Sequence, residues 1–347
     1  MYQPMSWWLP DHFSKKIPYL QERARVFTAV RRFFDTRGYL EVETPALQTA
    51  PCMEAHIQAF KTEIVSADHA TRETLYLHTS PEFAMKKLLV AGLPKIYQMA
   101  KVFRNAEGSR WHSPEFCMLE WYQVGMTYHH MMQETIDLLR QVCTAPLRAN
   151  DRTCDVAKEW EKLTVVQALK KYADVDISNH LGDLAHLRAE AQRIGVHVSD
   201  HDDWENALLK IMMAKVEPFA GSPVPTIIYD YPISMAALAR PKPDDPRFAE
   251  RFEVYVCGVE LCNAFGELTD AAVQRQRFTQ EINLRKKIYG EDYPIDEDFI
   301  RALEHGLPQS SGNALGMDRL VMLMTGAEDI DLVQASPVRP QPGKSRR

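Results

Sequence analysis

The sequence predicts an α+β fold in which antiparallel strands form a sheet flanked by helices. Two strand-like runs, Lys95 to Arg104 and Phe116 to Val124, are separated by a short polar loop, as two adjacent antiparallel strands would be. A third run, Arg251 to Phe265, is interrupted by a turn at Cys257 and Gly258. Elsewhere apolar residues recur at three- and four-residue spacing, which indicates amphipathic helices.

The first predicted helix spans residues 19–37. Its apolar residues, from Leu20 to Phe34, recur at helical spacing, and Gly38 ends it because glycine readily adopts the left-handed conformation that follows many helices. Residues 39–45 follow as a short extended segment. The helix and the segment together form one predicted unit near the start of the chain.

The second predicted helix starts at Ser80, Pro81 and Glu82. Serine is a favourable N-cap because its hydroxyl can accept a hydrogen bond from a free backbone N–H. Proline fits the first turn, where its missing N–H costs nothing. We therefore expect Ser80 to be the N-cap and Pro81 to lie in the first turn.

The later elements follow from the same signals. Residues 128–220 are predicted to be a helical insertion, with helices at 131–143, 164–172, 184–194 and 204–216. A strand is predicted at 226–231, helices are predicted at 269–289 and 317–324, and a glycine-punctuated segment, 310–316, opens the last helix. One catalytic domain, 19–337, would follow an N-terminal extension, 1–18, and precede a disordered tail, 338–347.

The composition excludes several classes of function. The 347 residues carry 41 basic and 47 acidic side chains, and the net charge of -6 does not favour a tRNA or another nucleic acid as partner. No apolar stretch is long enough for a signal peptide or a membrane span, so we expect a cytoplasmic protein without a membrane partner. The six cysteines are scattered, which argues against structural zinc.

The strongest functional signal is Phe103-Arg104-Asn105, then a loop, then the run from His112 to Tyr122. In a strand, the period of two places Phe116, Glu120 and Tyr122 on one face. That face carries an aromatic plate, a carboxylate and a phenol. A core strand with a satisfied glutamate is the alternative, but glutamate is rarely buried without a partner, so a pocket is favoured.

A second cluster lies in the run from Arg251 to Asp270. A hairpin that turns at Gly258 brings Glu253 and Glu260 close enough to share a hard cation, and oxygen ligands suit Mg²⁺. Solvated carboxylates at a strand edge are the alternative.

A third cluster runs from Ser311 to Leu320, at a predicted junction of strand and helix. Gly316 is expected to allow a close backbone approach, and Arg319 offers a planar fork for phosphate oxygens. The chain has no P-loop string, which argues against a P-loop nucleotide site.

In this order the three clusters resemble motifs 2 and 3 of the class II aminoacyl-tRNA synthetases, with the lysine-branch string between them. The run from Gly38 to Pro45 resembles motif 1, which in that family forms a homodimer interface. The resemblance covers about residues 20–337 and is closest to the lysine branch. It implies the class II catalytic fold, with ATP and Mg²⁺ as cofactors.

The resemblance also implies roles for individual residues. Arg104 and Arg319 would be catalytic, on the α- and γ-phosphates of ATP, and Phe116 would stack on adenine. Glu253 and Glu260 would bind the metal. The implied ATP site is Arg104, Asn105, Ala106, Glu107, His112, Ser113, Phe116, Glu260, Leu261, Gly316 and Arg319. The implied substrate site is Ser80, Pro81, Glu82, Glu120, Tyr122, Asn263 and Glu267, in which three carboxylates suit a dibasic amino acid.

Two features point to a particular branch. Lysyl-tRNA synthetases place an anticodon-binding barrel before motif 1, whereas here the motif begins at about Tyr19. Thr79-Ser80-Pro81-Glu82 and Arg110-Trp111-His112 also resemble the short paralogue family that ligates (R)-β-lysine onto a lysine of translation elongation factor P. We therefore expect activation of (R)-β-lysine, or lysine, as an adenylate, followed by transfer to elongation factor P.

Several residues depart from the family pattern. Ala106 stands where motif 2 has a glutamate, and Ser113 where relatives have an asparagine. Cys262 replaces a small pocket residue, and Ala264 and Gly266 replace the usual glycine and histidine of the β-lysine ligases. Species variation and an altered substrate are both open as explanations of these departures.

Other functions remain open. A truncated lysyl-tRNA-synthetase-like enzyme that charges tRNA is one, and a short synthetase-like asparagine synthetase is another, although the glutamate-rich pocket argues against aspartate. A non-catalytic synthetase-like binding subunit is the third. Retention of Arg104, Glu260 and Arg319 argues against it, because a pure binding module needs no phosphate clamp.

Overall fold

The computed structural model describes residues 7–336 and residue 338. The helices of this part of the chain are α1 (Pro10–Phe13), α2 (Ile17–Asp35), α3 (Glu82–Val90), α4 (Tyr128–Val142), α5 (Val165–Ala173), α6 (Leu184–Arg193), α7 (Trp204–Ile211), α8 (Ala271–Tyr289), α9 (Glu297–Gly306) and α10 (Met317–Thr325). Its strands are β1 (Leu40–Glu41), β2 (Leu47–Gln48), β3 (Phe60–Val65), β4 (Arg72–Leu77), β5 (Lys95–Phe103), β6 (Glu115–Val124), β7 (Leu147–Ala149), β8 (Arg152–Cys154), β9 (Glu161–Thr164), β10 (Thr226–Pro232), β11 (Phe248–Val256), β12 (Val259–Gly266) and β13 (Ser310–Gly316).

The chain forms two compact units. The first unit comprises residues 1–126 and 269–347, and the second comprises residues 127–268. The first six residues of the predicted N-terminal extension, and residues 339–347 of the predicted tail, lie outside the described residues. The boundaries of the catalytic domain and of the helical insertion stay predictions.

The first unit contains strands in the order β1-β5-β6-β13. β6 runs antiparallel to β5, as predicted, and also antiparallel to β13, whereas the short β1 runs parallel to β5. A separate sheet has the order β2-β4-β3. The β3–β4 hairpin and helix α9 were not predicted.

Aromatic side chains hold α2 against this set of strands. Phe34 of α2 stacks on Tyr97 of β5 at 4.7 Å between ring centroids and also contacts Trp121 of β6 at 5.5 Å. All three side chains are fully buried. Burial of three aromatic side chains accounts for the helical period seen in the sequence, because one face of α2 must be apolar.

The second unit contains strands in the order β12-β11-β10-β9. β11 runs antiparallel to β10 and β12, and β9 runs parallel to β10. Helices α5, α6 and α7 enclose a core that includes Leu169, Leu187 and Leu208. The predicted helix at 204–216 is wrong in its second half, because the α-helix ends at Ile211 and a π-helical turn follows.

The fold prediction is confirmed as antiparallel strands flanked by helices, with the parallel pairs at β1 and β9 as additions. The predicted strands at 95–104, 116–124 and 226–231 match β5, β6 and β10 within one residue at each end. No helix in the described part of the chain has both the length and the apolar character needed to span a membrane.

Candidate active site

Arg319, at the start of α10, contacts a histidine of the loop between β5 and β6. Its Nη2 donates to Nε2 of His112 at 2.6 Å, and Nδ1 of His112 lies 2.6 Å from Oγ of Ser109. Burial, together with the positive charges of Arg319 and Arg104, lowers the pKa of His112 to about 4. The imidazole is therefore neutral at pH 7, with the proton on Nδ1 and Nε2 as the acceptor.

Asp318 fixes the start of α10. Its Oδ2 accepts from the backbone N–H of Cys117 in β6 at 2.6 Å, and its Oδ1 accepts from Nη1 of Arg23 in α2 at 2.7 Å. The carboxylate is 1% exposed. Asp318 thus ties the helix that carries Arg319 to both β6 and α2, a positioning role that the sequence analysis missed.

Arg104 follows β5 and is half-buried. Its Nε donates to the backbone oxygen of Thr79 at 3.4 Å, and its guanidinium lies 5.3 Å from the ring centroid of Phe116. Two predicted ATP residues, Arg104 and Phe116, are therefore neighbours. The contact with Thr79 also connects Arg104 to the segment that begins the predicted substrate site.

Glu120, in the middle of β6, is 1% exposed and holds two hydroxyl groups. Ser80 donates to Oε1 at 2.6 Å, and Tyr122 donates to Oε2 at 2.8 Å. Burial, and then the nearby negative charge of Glu82, raise the pKa of Glu120 to about 8. The prediction that Glu120 and Tyr122 share one face of the strand is confirmed.

Glu82 is the first residue of α3 and is also buried. Its Oε1 lies 2.5 Å from Nζ of Lys86, one turn further along the helix, and its Oε2 accepts from the thiol of Cys52 at 4.0 Å. The helix start differs slightly from the prediction. Pro81 occupies the N-cap position, although Oγ of Ser80 still accepts from the N–H of Glu82 at 3.1 Å.

The remaining predicted ATP residues of the first unit lie in the loop between β5 and β6. Asn105 is exposed and its Oδ1 accepts from the N–H of Ala106, which has a left-handed φ of 59°. Glu107 is half-buried and Ser113 is buried. Left-handed backbone is unfavourable for alanine, so the loop is held in a strained turn at the departure from the family pattern.

Gly316, between β13 and α10, does not require glycine for steric reasons. Its φ is -73°, and a Cβ there would meet only side-chain carbons of Arg319, at 3.6–3.7 Å. Those are ordinary van der Waals distances. The expected close backbone approach at Gly316 therefore has no steric basis within the chain itself.

In the second unit, β11 and β12 form the predicted hairpin, with the turn at Cys257 and Gly258. Glu253 lies opposite Asn263, and Glu260 lies opposite Tyr255. The extra residue on β12 makes a bulge between these pairs. Bulges reorient side chains and often lie beside functional sites.

The Glu253 carboxylate is committed to groups of its own unit. Its Oε2 accepts from the hydroxyls of Tyr231 at 2.7 Å and Tyr255 at 2.5 Å, and its Oε1 accepts from Nη2 of Arg251 at 2.5 Å. A metal ion at Oε1 would compete with the guanidinium of Arg251, and Oε2 already accepts two hydrogen bonds. This competition argues against Glu253 as a metal ligand, whereas Glu260 is half-buried on β12.

The other predicted residues of the second unit follow Glu260 on β12. Leu261 is buried, and the Oδ1 of Asn263 accepts from Nε of Arg251 at 3.2 Å. Glu267 follows β12 and is fully buried. Its backbone pairs with Ala239 in an isolated bridge.

Gly266 is required by its surroundings. A Cβ at this position would overlap Oε2 of Glu250 and come within 3.0 Å of Nε of Arg240. These two side chains form an ion pair, with Nη2 of Arg240 at 2.5 Å from Oε2 of Glu250. The departure from histidine at 266 is therefore coupled to this pair. Cys262 and Ala264 are both buried on the same strand.

The structure thus brings together two groups of predicted residues. In the first unit, contacts connect Arg319 with His112 and connect Ser80, Glu120 and Tyr122 with one another. Ser109 and Lys86 were not among the predicted site residues. The spacing of Glu82 and Lys86 suits a helical ion pair and was a visible signal, but burial of the pair was not.

Two comparisons relate the sequence of the chain to known proteins. The sequence profile of class II tRNA synthetases (D, K and N) matches residues 13–339. The chain is also 43% identical over 336 residues to the elongation factor P--(R)-beta-lysine ligase of Edwardsiella ictaluri (strain 93-146). That alignment covers 96% of this chain and 98% of the other protein.

Proposed function

Because the chain belongs to the class II tRNA synthetase family of the D, K and N enzymes, we propose that it activates (R)-β-lysine, or lysine, with ATP and transfers it to a lysine side chain of elongation factor P. The transfer to elongation factor P rests on the 43% identity with the Edwardsiella ligase over nearly its whole length. The chemistry rests on the residues of the first unit.

The buried carboxylate of Glu120 is the observation that carries the proposal. It lies between the hydroxyls of Ser80 and Tyr122 and close enough to Glu82 for the two charges to interact. Two buried carboxylates that repel each other bind a cation readily, because an ammonium group relieves both the repulsion and the burial of charge. The site therefore suits an amine of the substrate.

Arg104 and Arg319 would bind the phosphates. Formation of an adenylate is an in-line attack by the substrate carboxylate on the α-phosphorus of ATP, and pyrophosphate leaves as the new bond to oxygen forms. Such a reaction needs positioning and charge neutralisation and no protein nucleophile. The acceptor lysine would then attack the activated carbonyl and release AMP.

His112 has a definite part in this scheme. As a neutral acceptor it fixes the direction of the Arg319 guanidinium at 2.6 Å without adding charge. A protonated imidazole would repel the guanidinium and leave it without that acceptor. We expect His112 to act through Arg319 and not on the substrate.

Mg²⁺ would supply positive charge on the ATP phosphates, as it does in related phosphoryl chemistry. Glu260 is the residue of the second unit that we assign to it, since Glu253 is committed to Arg251, Tyr231 and Tyr255. We assign to Glu253 the task of holding β10 and β11 together.

We further propose that the protein works in the cytoplasm as a homodimer that uses the segment resembling motif 1. Leu40 of this segment and Leu47, two residues after it, are 53% and 46% exposed, an apolar surface that a second copy would cover. Light scattering after gel filtration should give the mass of a dimer. A Leu40→Lys variant should shift it toward the monomer, and a monomeric wild-type protein would contradict this part of the proposal.

The activation step is tested by amino-acid-dependent exchange of labelled pyrophosphate into ATP. We expect exchange with (R)-β-lysine or lysine, and a loss of about 100-fold or more in Glu120→Gln, because the neutral amide cannot pair with the ammonium. Glu115→Gln on the same strand is the matched control, since Glu115 is only half-buried and pairs with the exposed Lys101. If neither (R)-β-lysine nor lysine supported exchange, the proposal would be contradicted.

Charging of tRNA is the second candidate. The same adenylate would serve it, so exchange alone does not separate the two. The net charge of -6 favours a protein acceptor over an RNA acceptor.

A further inference from the structure

Lys86 is a fully buried lysine beside the proposed amine site. It lies on α3, one turn after Glu82, and its Nζ is 2.5 Å from Oε1 of Glu82. A lysine is almost never fully buried without a strong reason, because removing the ammonium from water is costly. The activation chemistry described above does not use this residue.

Aromatic side chains also lie near Lys86. Its Nζ lies 5.9 Å from the ring centroid of Phe299 in α9, and that ring stacks on Phe83 at 4.5 Å. Lys87, the next residue, points to different partners, since it pairs with Asp296 at 3.1 Å. The two neighbouring lysines of α3 therefore differ in burial and in partner.

The groups that face Glu120 come from several elements. Glu82 and Lys86 of α3 act on it through charge, and Ser80 and Tyr122 donate hydrogen bonds to it. From β5, the buried amide of Gln98 is its register partner. The Cys52 thiol is also near, and burial and the charges of Glu82, Glu54 and Glu120 raise its pKa, so the thiol stays neutral.

The charges of Glu82, Glu120 and Lys86 indicate a function for the lysine. Glu82 and Glu120 would carry two negative charges when both are ionised, and Lys86 supplies one positive charge. The three groups together carry a single negative charge, which one substrate ammonium balances. Without Lys86, the same binding event would leave one negative charge buried and uncompensated, which proteins avoid.

We propose that Lys86 is a positioning residue of the amine site, which holds Glu82 by its ion pair and reduces the charge of the empty site so that Glu120 can accept one substrate ammonium. The identity of the ligand rests on the proposed function. The charge relationship among Lys86, Glu82 and Glu120 does not, because it exists in the protein without substrate.

The direct test is the titration of Glu120 in the substrate-free protein. Carboxyl signals of protein labelled with ¹³C at the side-chain carboxyl of glutamate would be followed by NMR from pH 5 to 10, with the Glu120→Gln variant as the assignment. Because the positive charge of Lys86 favours the ionised form, Lys86→Met should raise the midpoint by about 1 pH unit or more. Lys87→Met, the matched control on the same helix, should leave it unchanged.

The second arm is binding of lysine-type amino acids at pH 7. One pH unit in the midpoint corresponds to about a tenfold change in the ionised fraction, so Lys86→Met should bind about tenfold more weakly. The loss should shrink as the pH rises above the new midpoint. A lysine needed only for packing would weaken binding equally at every pH.

A double variant shows whether a shift of the Glu120 midpoint in Lys86→Met comes from the lost charge or from a loss of folding. Glu82→Gln with Lys86→Met removes both charges of the ion pair, and we expect its Glu120 midpoint to return toward that of the wild type. An unchanged midpoint in Lys86→Met, or equal shifts in the single and double variants, would overturn the proposal. If the titration behaves as expected and no lysine-type amino acid binds to the wild type, the proposed function fails while the charge relationship stands.

Discussion

Nη2 of Arg319 donates to Nε2 of His112 at 2.6 Å, so a neutral imidazole holds the guanidinium that we assign to the ATP phosphates. Ser109 completes the relationship, because its Oγ lies 2.6 Å from Nδ1 and accepts the remaining imidazole proton. The pKa of His112, lowered to about 4 by burial and by the two arginines, keeps the ring in this form at neutral pH. The hydroxyl of Ser109 and the imidazole of His112 together set the direction of the Arg319 guanidinium.

Removal of the acceptor should weaken use of ATP. In His112→Leu the charged guanidinium loses the acceptor of a hydrogen bond worth about 1.5 to 3 kcal/mol, so kcat/KM for ATP in the exchange reaction should fall about 10- to 100-fold. In Ser109→Ala, kcat/KM for ATP should also fall, but by less, because this change removes only the group that orients the imidazole ring. An unchanged kcat/KM in His112→Leu would show that Arg319 needs no such support.

Stability should decrease on acidification through the range set by His112. Its pKa is about 4 in the folded protein and about 6.5 in the unfolded chain, so between these values the unfolded chain binds more protons. The free energy of unfolding should therefore fall as the pH drops from about 6.5 to 4. With allowance for partial exposure of the ring, we expect about 1 to 2 kcal/mol.

The measurement is urea denaturation at several pH values for the wild type and His112→Gln. The variant lacks the titrating group, so its curve of stability against pH should be flatter in this range. Parallel curves for the two proteins would contradict the account of His112.

Substitution by alanine should reduce the free energy of unfolding at Gly266 but not at Gly316. Gly266→Ala places a methyl group onto Glu250 and against Arg240, so we expect a loss of about 1 to 3 kcal/mol in unfolding free energy. Gly316→Ala meets only ordinary contacts at a φ of -73°, and we expect no loss. Equal destabilisation in the two variants, measured by chemical denaturation, would contradict the steric reading of Gly266.

Substitution of Glu253 should mainly reduce stability, whereas substitution of Glu260 should mainly affect the use of Mg²⁺. Glu253→Gln weakens the bond to Arg251 and leaves two tyrosine hydroxyls with a poorer acceptor, so we expect a loss of about 2 to 3 kcal/mol in stability. Glu260→Gln should mainly raise the Mg²⁺ concentration needed for half-maximal exchange. A larger effect of Glu253→Gln on the Mg²⁺ requirement would restore Glu253 as a metal ligand.

Much of the fold could be predicted from local patterns. The strands of the β5–β6 pair and the hairpin at Gly258 carry clear strand and turn signals, and helix α2 shows its helical period because Phe34 must face Tyr97 and Trp121. The β3–β4 hairpin was missed because its strands are largely exposed, with only Tyr76 buried, and therefore lack a strong apolar alternation.

The candidate site shows what local patterns cannot supply. Spacing brought Glu253 and Glu260 together as a metal pair, but Glu253 meets Tyr231 from another strand, and only the tertiary structure shows that. In the same way, the spacing of Glu82 and Lys86 suggests an exposed helical ion pair, whereas packing of α3 against α9 buries it. The charge of a site depends on such long-range contacts.

Transfer of labelled (R)-β-lysine by the purified protein, with ATP and Mg²⁺, to elongation factor P and in parallel to total tRNA tests the central claim most directly. The account predicts label on elongation factor P, stronger than with α-lysine, and its loss in Glu120→Gln. Label on tRNA alone, or on neither acceptor with a folded protein, would contradict it.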